Sequence, residues 1–241
     1  RQTSAQLVGF GMDAKMFAQH VGDMGYFRPS HQATKLSSGG VSLRSVASKR
    51  AVINILESDF HVELPSAGIH YGVDAAAALA AAASILGSSF DPQLAVDTVS
   101  AIDPVFGRGE TVLVRGQEID FVLIQNPTSY RLNVQSIPEG TEHVMIAVGS
   151  DVRDYSYLWS ASLKGLHGIR LAAGPKAQDV ALHALFCGVA VDDIEPDLST
   201  ALEKFLALAQ PARGRKTIIF SADSMRRTRR YLELPEQAAW S

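Results

Sequence analysis

Three short apolar runs in the second half of the chain, Val144 to Val148, Ile169 to Ala173 and Thr217 to Phe220, constrain the fold more than any other feature. Each is too short for a buried helix and none alternates polar with apolar residues, so each reads as a strand covered on both faces. Helical patterns accompany them. Lys176 to Phe186 is stopped by Gly188, and Pro196 to Ala209 places Leu198, Leu202, Phe205, Leu206 and Ala209 at helical spacing. Strand and helix in alternation predict an open, mainly parallel α/β sheet of the Rossmann-like kind. Just upstream, Thr111 to Val114 and Ile119 to Ile124 flank Arg115, Gly116, Gln117 and Glu118, the pattern of a β-hairpin.

The first part of the chain has a different pattern. Leu7 to Gly11 reads as a buried strand, the polar run Ser37 to Ser48 has no clear period, and Ala51 to Leu64 reads as two strands around Glu57, Ser58 and Asp59, ended by Pro65. Asp74 stands before a long run of strong helix formers that stops at Gly87, so a helix capped by Asp74 is expected. A second helix is expected to start with Asp91 as cap and Pro92 in its first turn, with Leu94, Val99 and Ile102 as its apolar stripe. The pattern breaks between Pro104 and Gly109, which divides the chain into residues 1–105 and 106–241.

Composition excludes several functions. The single cysteine, Cys187, can form neither an internal disulfide nor a Cys-rich zinc ribbon, and it fits a small buried apolar residue in an intracellular protein. A net charge of −3 argues against broad binding to nucleic acid, and the cluster Arg226, Arg227, Arg229 and Arg230 reads as a solvated helix face. The longest apolar stretch, Ala75 to Leu86, is bounded by Asp74 and Gly87 and is too short for a transmembrane segment. The seven histidines show no metal-ligand spacing, so neither zinc nor any other metal site is expected. The chain starts at Arg1 without an initiator Met or a signal, which suggests a fragment whose amino-terminal part is missing.

In open α/β sheets ligands gather beyond the carboxyl ends of the strands. The residues placed there are Gln125, Asn126 and Pro127, then Gly149, Ser150 and Asp151, then Gly174 and Pro175, and finally Ser221 and Asp223. Asn126 before Pro127 supplies either a rigid amide for a substrate or a simple turn. In Asp151 to Trp159, an extended backbone would put Tyr155, Tyr157 and Trp159 on one face, as core or as a partner surface.

Four motifs in fixed order, GIHYGVDAAAALAAAASILG (Gly68 to Gly87), FGRGE (Phe106 to Glu110), QNPTSY (Gln125 to Tyr130) and RDYSYLW (Arg153 to Trp159), resemble the carboxyl half of the MurT family. These are Mur-ligase-like subunits that amidate the D-glutamate of the lipid II stem peptide. The resemblance implies an incomplete Mur-ligase central domain over residues 1–105, lacking the phosphate loop, and a MurT-type carboxyl-terminal α/β domain over 106–241. It implies ATP and Mg as cofactors and a GatD-like glutaminase as partner in a heterodimer. Lipid II is the implied substrate, in the cytoplasm or at the inner face of the membrane. Asp154 matches the aspartate that completes the partner's catalytic triad, Arg108 matches a nucleotide-contacting hinge arginine, and Asn126 matches a substrate-side asparagine.

Departures accompany the matches. No G-x-x-x-x-G-K-[ST] occurs. Tyr71 and Asp74 stand where the family has adenine-side asparagines, which leaves Asp74 on the nucleotide side without an amide. Gln125 replaces a lysine, and Ser160 and Ser162 replace aspartates that follow the family's tryptophans. The resemblance leaves open an active ligase subunit, a degenerate non-catalytic scaffold that binds a glutaminase-like partner, and another Mur-like amide ligase.

Overall fold

Two tight antiparallel turns organise the first part of the chain. In the computed structural model, which describes residues 9–13, 15–16, 40–104 and 107–235, the chain divides into two compact units, Arg1–Asp103 and Pro104–Ser241. The first holds a four-stranded sheet in the order β1 (Phe10–Met12), β2 (Val41–Ala47), β3 (Arg50–Ile55) and β4 (Ser58–Glu63). β1 runs parallel to β2, and the other neighbours are antiparallel. Leu43, Ile53 and Ile55 from the strands pack with Ala76 and Leu79 of helix α1 (Ile69–Leu86) and Val96 of helix α2 (Pro92–Ser100). The expected strand at Leu7 starts outside the described residues, and β1 covers its end.

Two expectations for this unit are corrected. Helix α1 opens at Ile69 after Gly68, so Asp74 is an exposed residue inside the helix and caps nothing. The cause is packing. The side chains of Leu43 and Val46 come within 2.8 Å of where a Cβ on Gly72 would stand, so the glycine lets the first turn lie directly on β2. On α2, Asp91 does cap, accepting from the backbone N–H of Gln93 at 2.9 Å and Leu94 at 3.1 Å, with Pro92 in the first turn. The buried residue of this helix is Val96, however, while Leu94 and Ile102 are 65% and 50% exposed. Leu94 is two positions, about 200° of helix rotation, from Val96 and so faces away.

By length and a mean hydropathy of 1.4, Ile69–Ser89 is the one stretch among the described residues that would suffice to cross a bilayer. In this fold Gly72, Ala75, Ala76, Leu79 and Ala80 of that helix are buried, and several of them pack in the core with the strands.

The second unit is a six-stranded sheet in the order β5 (Arg108–Val114), β6 (Gln117–Leu123), β10 (Lys216–Phe220), β7 (Val144–Ala147), β8 (Leu171–Ala173) and β9 (Ile194–Glu195). β5 is antiparallel to β6 across a turn in which Arg115 (φ 49°) and Gly116 (φ 77°) both take the left-handed conformation a two-residue hairpin requires. All other pairs are parallel. Every residue of β7, β8 and β10 is buried, as the apolar runs predict for strands covered twice. Residues of helices α3 (Pro127–Ser136) and α4 (Ala177–Phe186) cluster with Val144, Ile146 and Ile219. Residues of helices α5 (Leu198–Ala207) and α6 (Ala222–Tyr231) cluster with Met145, Ile218 and Phe220 on the opposite face.

The arginine cluster on α6 is not uniformly solvated. Arg229 is 5% exposed, pairs with Glu110 of β5 and donates to the carbonyl of Pro235 at 2.7 Å. Arg226, Arg227 and Arg230 are exposed.

Candidate functional site

The chain runs from β6 to β7, β8 and β9 in one direction across the sheet, then returns through α5 to place β10 between β6 and β7. Connections therefore leave β10 and its two neighbours toward opposite faces, and crevices open at the carboxyl ends of β6, β10 and β7. Gln125 and Asn126, Ser221, and Gly149 to Asp151 follow these strands. Arg108 reaches the same edge from the other direction, because antiparallel β5 begins there, opposite Val122 near the end of β6.

Asn126 closes helix α3. Its side-chain oxygen accepts from the backbone N–H of Ser129 at 2.8 Å, and the Ser129 hydroxyl accepts from the backbone N–H of Gln125 and of Asn126 at 3.0 and 3.1 Å. This reciprocal cap, with Pro127 in the first turn, fixes the loop. Asn126 makes the turn through its side-chain oxygen. With its oxygen engaged, its NH₂ is the group with which it can serve a ligand.

At the β10/β7 crevice the buried Ser221 hydroxyl donates to Asp151 Oδ1 at 2.7 Å and accepts from the N–H of Gly149 at 2.9 Å. Asp151 Oδ2 accepts from the N–H of Asp223 at 3.1 Å. A Cβ on Gly149 would meet Asp223 Oδ2 at 2.6 Å and Asp151 Oδ1 at 3.0 Å, so two carboxylates crowd this glycine.

The segment after Asp154 is not extended. Tyr155–Ser160 forms a 3₁₀ helix, so residues three apart share a face: Tyr155, Leu158 and Ala161 are all buried while Tyr157 is exposed. The three aromatics consequently do not form one face. Tyr157 donates to the carbonyl of Gln125 at 3.1 Å, which ties this segment to the Asn126 loop. Partial burial, and then Asp151, push its phenol above its ordinary pKa.

Asp154 is the N-cap of the 3₁₀ helix and accepts from the N–H of Ser156 at 2.9 Å. The Ser156 hydroxyl and then its N–H hold the carboxyl below the ordinary aspartate range, with a smaller effect from Lys176. An exposed, ionised carboxylate at this edge can accept a hydrogen bond from an incoming imidazole.

Asp74 belongs to the first unit, so the sequence-predicted residues are not all gathered at one place. Arg108, Asn126 and Asp154 share the carboxyl edge of the second unit's sheet. Tyr71 stacks at a tilt on His70, with ring centres 4.2 Å apart. Among the described residues no group of three or more His, Cys, Asp or Glu is placed to hold a metal ion. Cys187 is half-buried.

Nor do the described helix starts of the first unit fit the triphosphate of ATP, which needs backbone N–H groups and a lysine at a helix amino-terminus. α1 opens with Ile69, His70 and Tyr71 and has no cationic side chain there. The start of α2 is already filled by the Asp91 carboxylate.

His183 is one of the seven histidines without metal-ligand spacing, to which sequence reasoning assigned no role. It is fully buried on α4, with both ring nitrogens engaged. The available signal was spacing: Ala177, Val180, His183 and Ala184 fall on one helical stripe.

The fold, a mixed four-stranded sheet followed by a mainly parallel six-stranded one, matches that of the Mur ligases. The chain is similar to a pseudomurein peptide ligase type C from Methanothermus fervidus, with a TM-score of 0.59 and 19% identity over 80% of this chain and 41% of that one. It is also similar to the MurF ligase of Thermotoga maritima in complex with ADP, at 0.57 and 15% over 97% of this chain and 54% of that one. A third is the folylpolyglutamate synthase of Mycobacterium tuberculosis complexed with ADP and AMPPCP, at 0.55 and 17% over 78% and 46%. The chain thus spans between 41% and 54% of the length of these relatives. No protein-family model matches the sequence, and neither does the sequence of any curated protein.

Proposed function

We propose that this chain is a MurT-like subunit that works with a GatD-like glutaminase to amidate the D-glutamate α-carboxylate of the lipid II stem peptide. The observation that carries the reading is Asp154, an exposed carboxylate held ionised at the cap of the RDYSYLW segment, at the edge where a sheet of this kind meets its ligands. A carboxylate behind a partner's catalytic histidine orients the imidazole and stabilises its charged form. In this reading Asn126 offers its NH₂ to the substrate, and Arg108 lies at the same edge for a phosphate-bearing ligand.

ATP and magnesium supply carboxylate activation when bound to a ligase of this fold. The part of this chain on which the reading rests is the partner-facing edge, placed in the cytoplasm or at the inner face of the membrane where lipid II is exposed. In a reconstituted complex, Asp154→Asn should lower glutaminase turnover by at least ~10²-fold with glutamine KM little changed. Unchanged turnover would sink the proposed role.

A second reading, a non-catalytic scaffold for a glutaminase-like partner, is favoured by Asp74 and Tyr71 in place of amide donors and by the unsuitable helix starts of the first unit. ATP-dependent amidation by the full-length gene product would rule it out.

A further inference from the structure

A 3₁₀ helix has poorer hydrogen-bond geometry than an α-helix and seldom exceeds three or four residues, so the six of Tyr155–Ser160 need tertiary support. That support converges on one side chain of α4. His183 has 0% exposure. Its Nδ1 lies 3.1 Å from the hydroxyl of Tyr155, the first residue of the segment, and its Nε2 lies 3.0 Å from the carbonyl of Ala161, the residue just after the last. Trp159 stacks on the same ring, with centres 5.9 Å apart and planes 7° from parallel. A carbonyl can only accept, so Nε2 carries the hydrogen, Nδ1 is the acceptor, and the Tyr155 hydroxyl donates to it.

We infer that His183 is a positioning residue for Asp154: its neutral Nε2–H tautomer bridges both ends of the 3₁₀ segment and thereby fixes the carboxylate at its cap. One ring holds residues 155, 159 and 161, while the outward residues Asp154, Ser156 and Tyr157 make no demand on the core. Tyr155 adjoins Asp154 directly, so the carboxylate is located from the buried side through a single peptide unit. The functional consequence rests on the proposed role of Asp154; the structural claim does not.

The test uses the full chain and follows amide hydrogen exchange of Ser156 and Ala161, whose N–H groups bond Asp154 Oδ1 and the Leu158 carbonyl, both at 2.9 Å. His183→Phe keeps a ring but neither donates nor accepts. His183→Gln places an oxygen and an NH₂ where the two nitrogens were. Phe is expected to speed exchange at these two amides by at least ~10-fold while the amides of β7 and β10 keep theirs, and Gln is expected to restore most of the protection.

Unchanged exchange at Ser156 and Ala161 overturns the inference. So does acceleration spread equally over β7 and β10, which would make His183 an ordinary core residue. Should His183→Phe fail to fold, Tyr155→Phe removes one hydroxyl from the bridge and decides by the same two criteria. In the complex with the glutaminase, His183→Phe should lower kcat without moving KM, and His183→Gln should recover it. If the exchange result holds while Asp154→Asn leaves turnover unchanged, the proposed function fails and the positioning role stands.

Discussion

Lys216 has no exposed surface, yet it occupies the first position of the central strand β10. Its ammonium donates to Gln117 Oε1 at 2.7 Å and to the carbonyls of Leu206 and Leu208 at 2.9 and 2.6 Å. The two carbonyls lie at the carboxyl end of α5, where helix geometry leaves acceptors unpaired and the dipole is negative. Burial pushes the pKa of the ammonium below that of an ordinary lysine. Lys216→Met would leave Gln117 Oε1 and the Leu208 carbonyl without this donor, while the Leu206 carbonyl keeps a longer bond from Gln117 Nε2 at 3.3 Å, and should destabilise the protein by about 2–4 kcal/mol, read as a lower denaturant midpoint at unchanged slope. Nothing in the sequence marks this lysine as buried, because its partners arrive from residues 117, 206 and 208.

His183 makes a prediction of opposite chemistry. Burial holds its pKa below the usual 6.5, so below that pH the unfolded chain binds a proton that the folded chain refuses. Stability therefore rises with pH in this window, and the contribution is lost as pH falls from about 6.5 toward the lower folded value. Denaturation of the parent chain and of His183→Gln between pH 7.5 and 5 isolates it: the parent should lose more stability over that interval, and equal losses would remove the effect.

At the scale of elements, the buried strands of the second unit and several helices were legible because their signals are local, whereas β2 lies in the polar run without a clear period and neither β9 nor α3 carried a readable pattern. Unbroken apolar runs, Asp91 with Pro92, and Gly116 in its hairpin each act within a few residues of themselves. The start of α1 was not legible, since Gly72 is required by Leu43 and Val46 on another strand and not by any neighbour in sequence. The turn between β3 and β4 shows a further conflict. Leu56 (φ 48°) and Glu57 (φ 72°) both occupy the left-handed region, where asparagine and glycine are favoured and an exposed leucine is strained. The register of β3 on β4 imposes this, because Ile55 pairs directly with Ser58 and leaves two residues for the turn. The double change Leu56→Asn, Glu57→Gly should stabilise the protein by about 1–2 kcal/mol, and a thermal midpoint that fails to rise would contradict the turn geometry.

For the whole molecule, the alternation of strands and helices identifies an open α/β sheet, but not the order of its strands. Ser221 and Gly149 are 72 residues apart in sequence, and their 2.9 Å hydrogen bond exists because β10 enters between β7 and β6. The crevice containing Asp151, Ser221 and Asp223 therefore could not be assembled from spacing, although each of its loops could be named as the end of a strand. The same topology makes the second unit self-sufficient. Among the described residues, both of its core clusters are drawn from residues after 104, on either face of one sheet, and the core of the first unit from residues before it. A layer of helices on each face satisfies the requirement for burying a parallel sheet without help from residues 1–103. Expressed alone, residues 104–241 should unfold in one cooperative transition and keep the amide protection of Ser156 and Ala161 found in the full chain. A fragment with native helix content but a non-cooperative transition would instead mean that the sheet depends on the first unit, and the Asp154 edge would have to be studied in the intact chain.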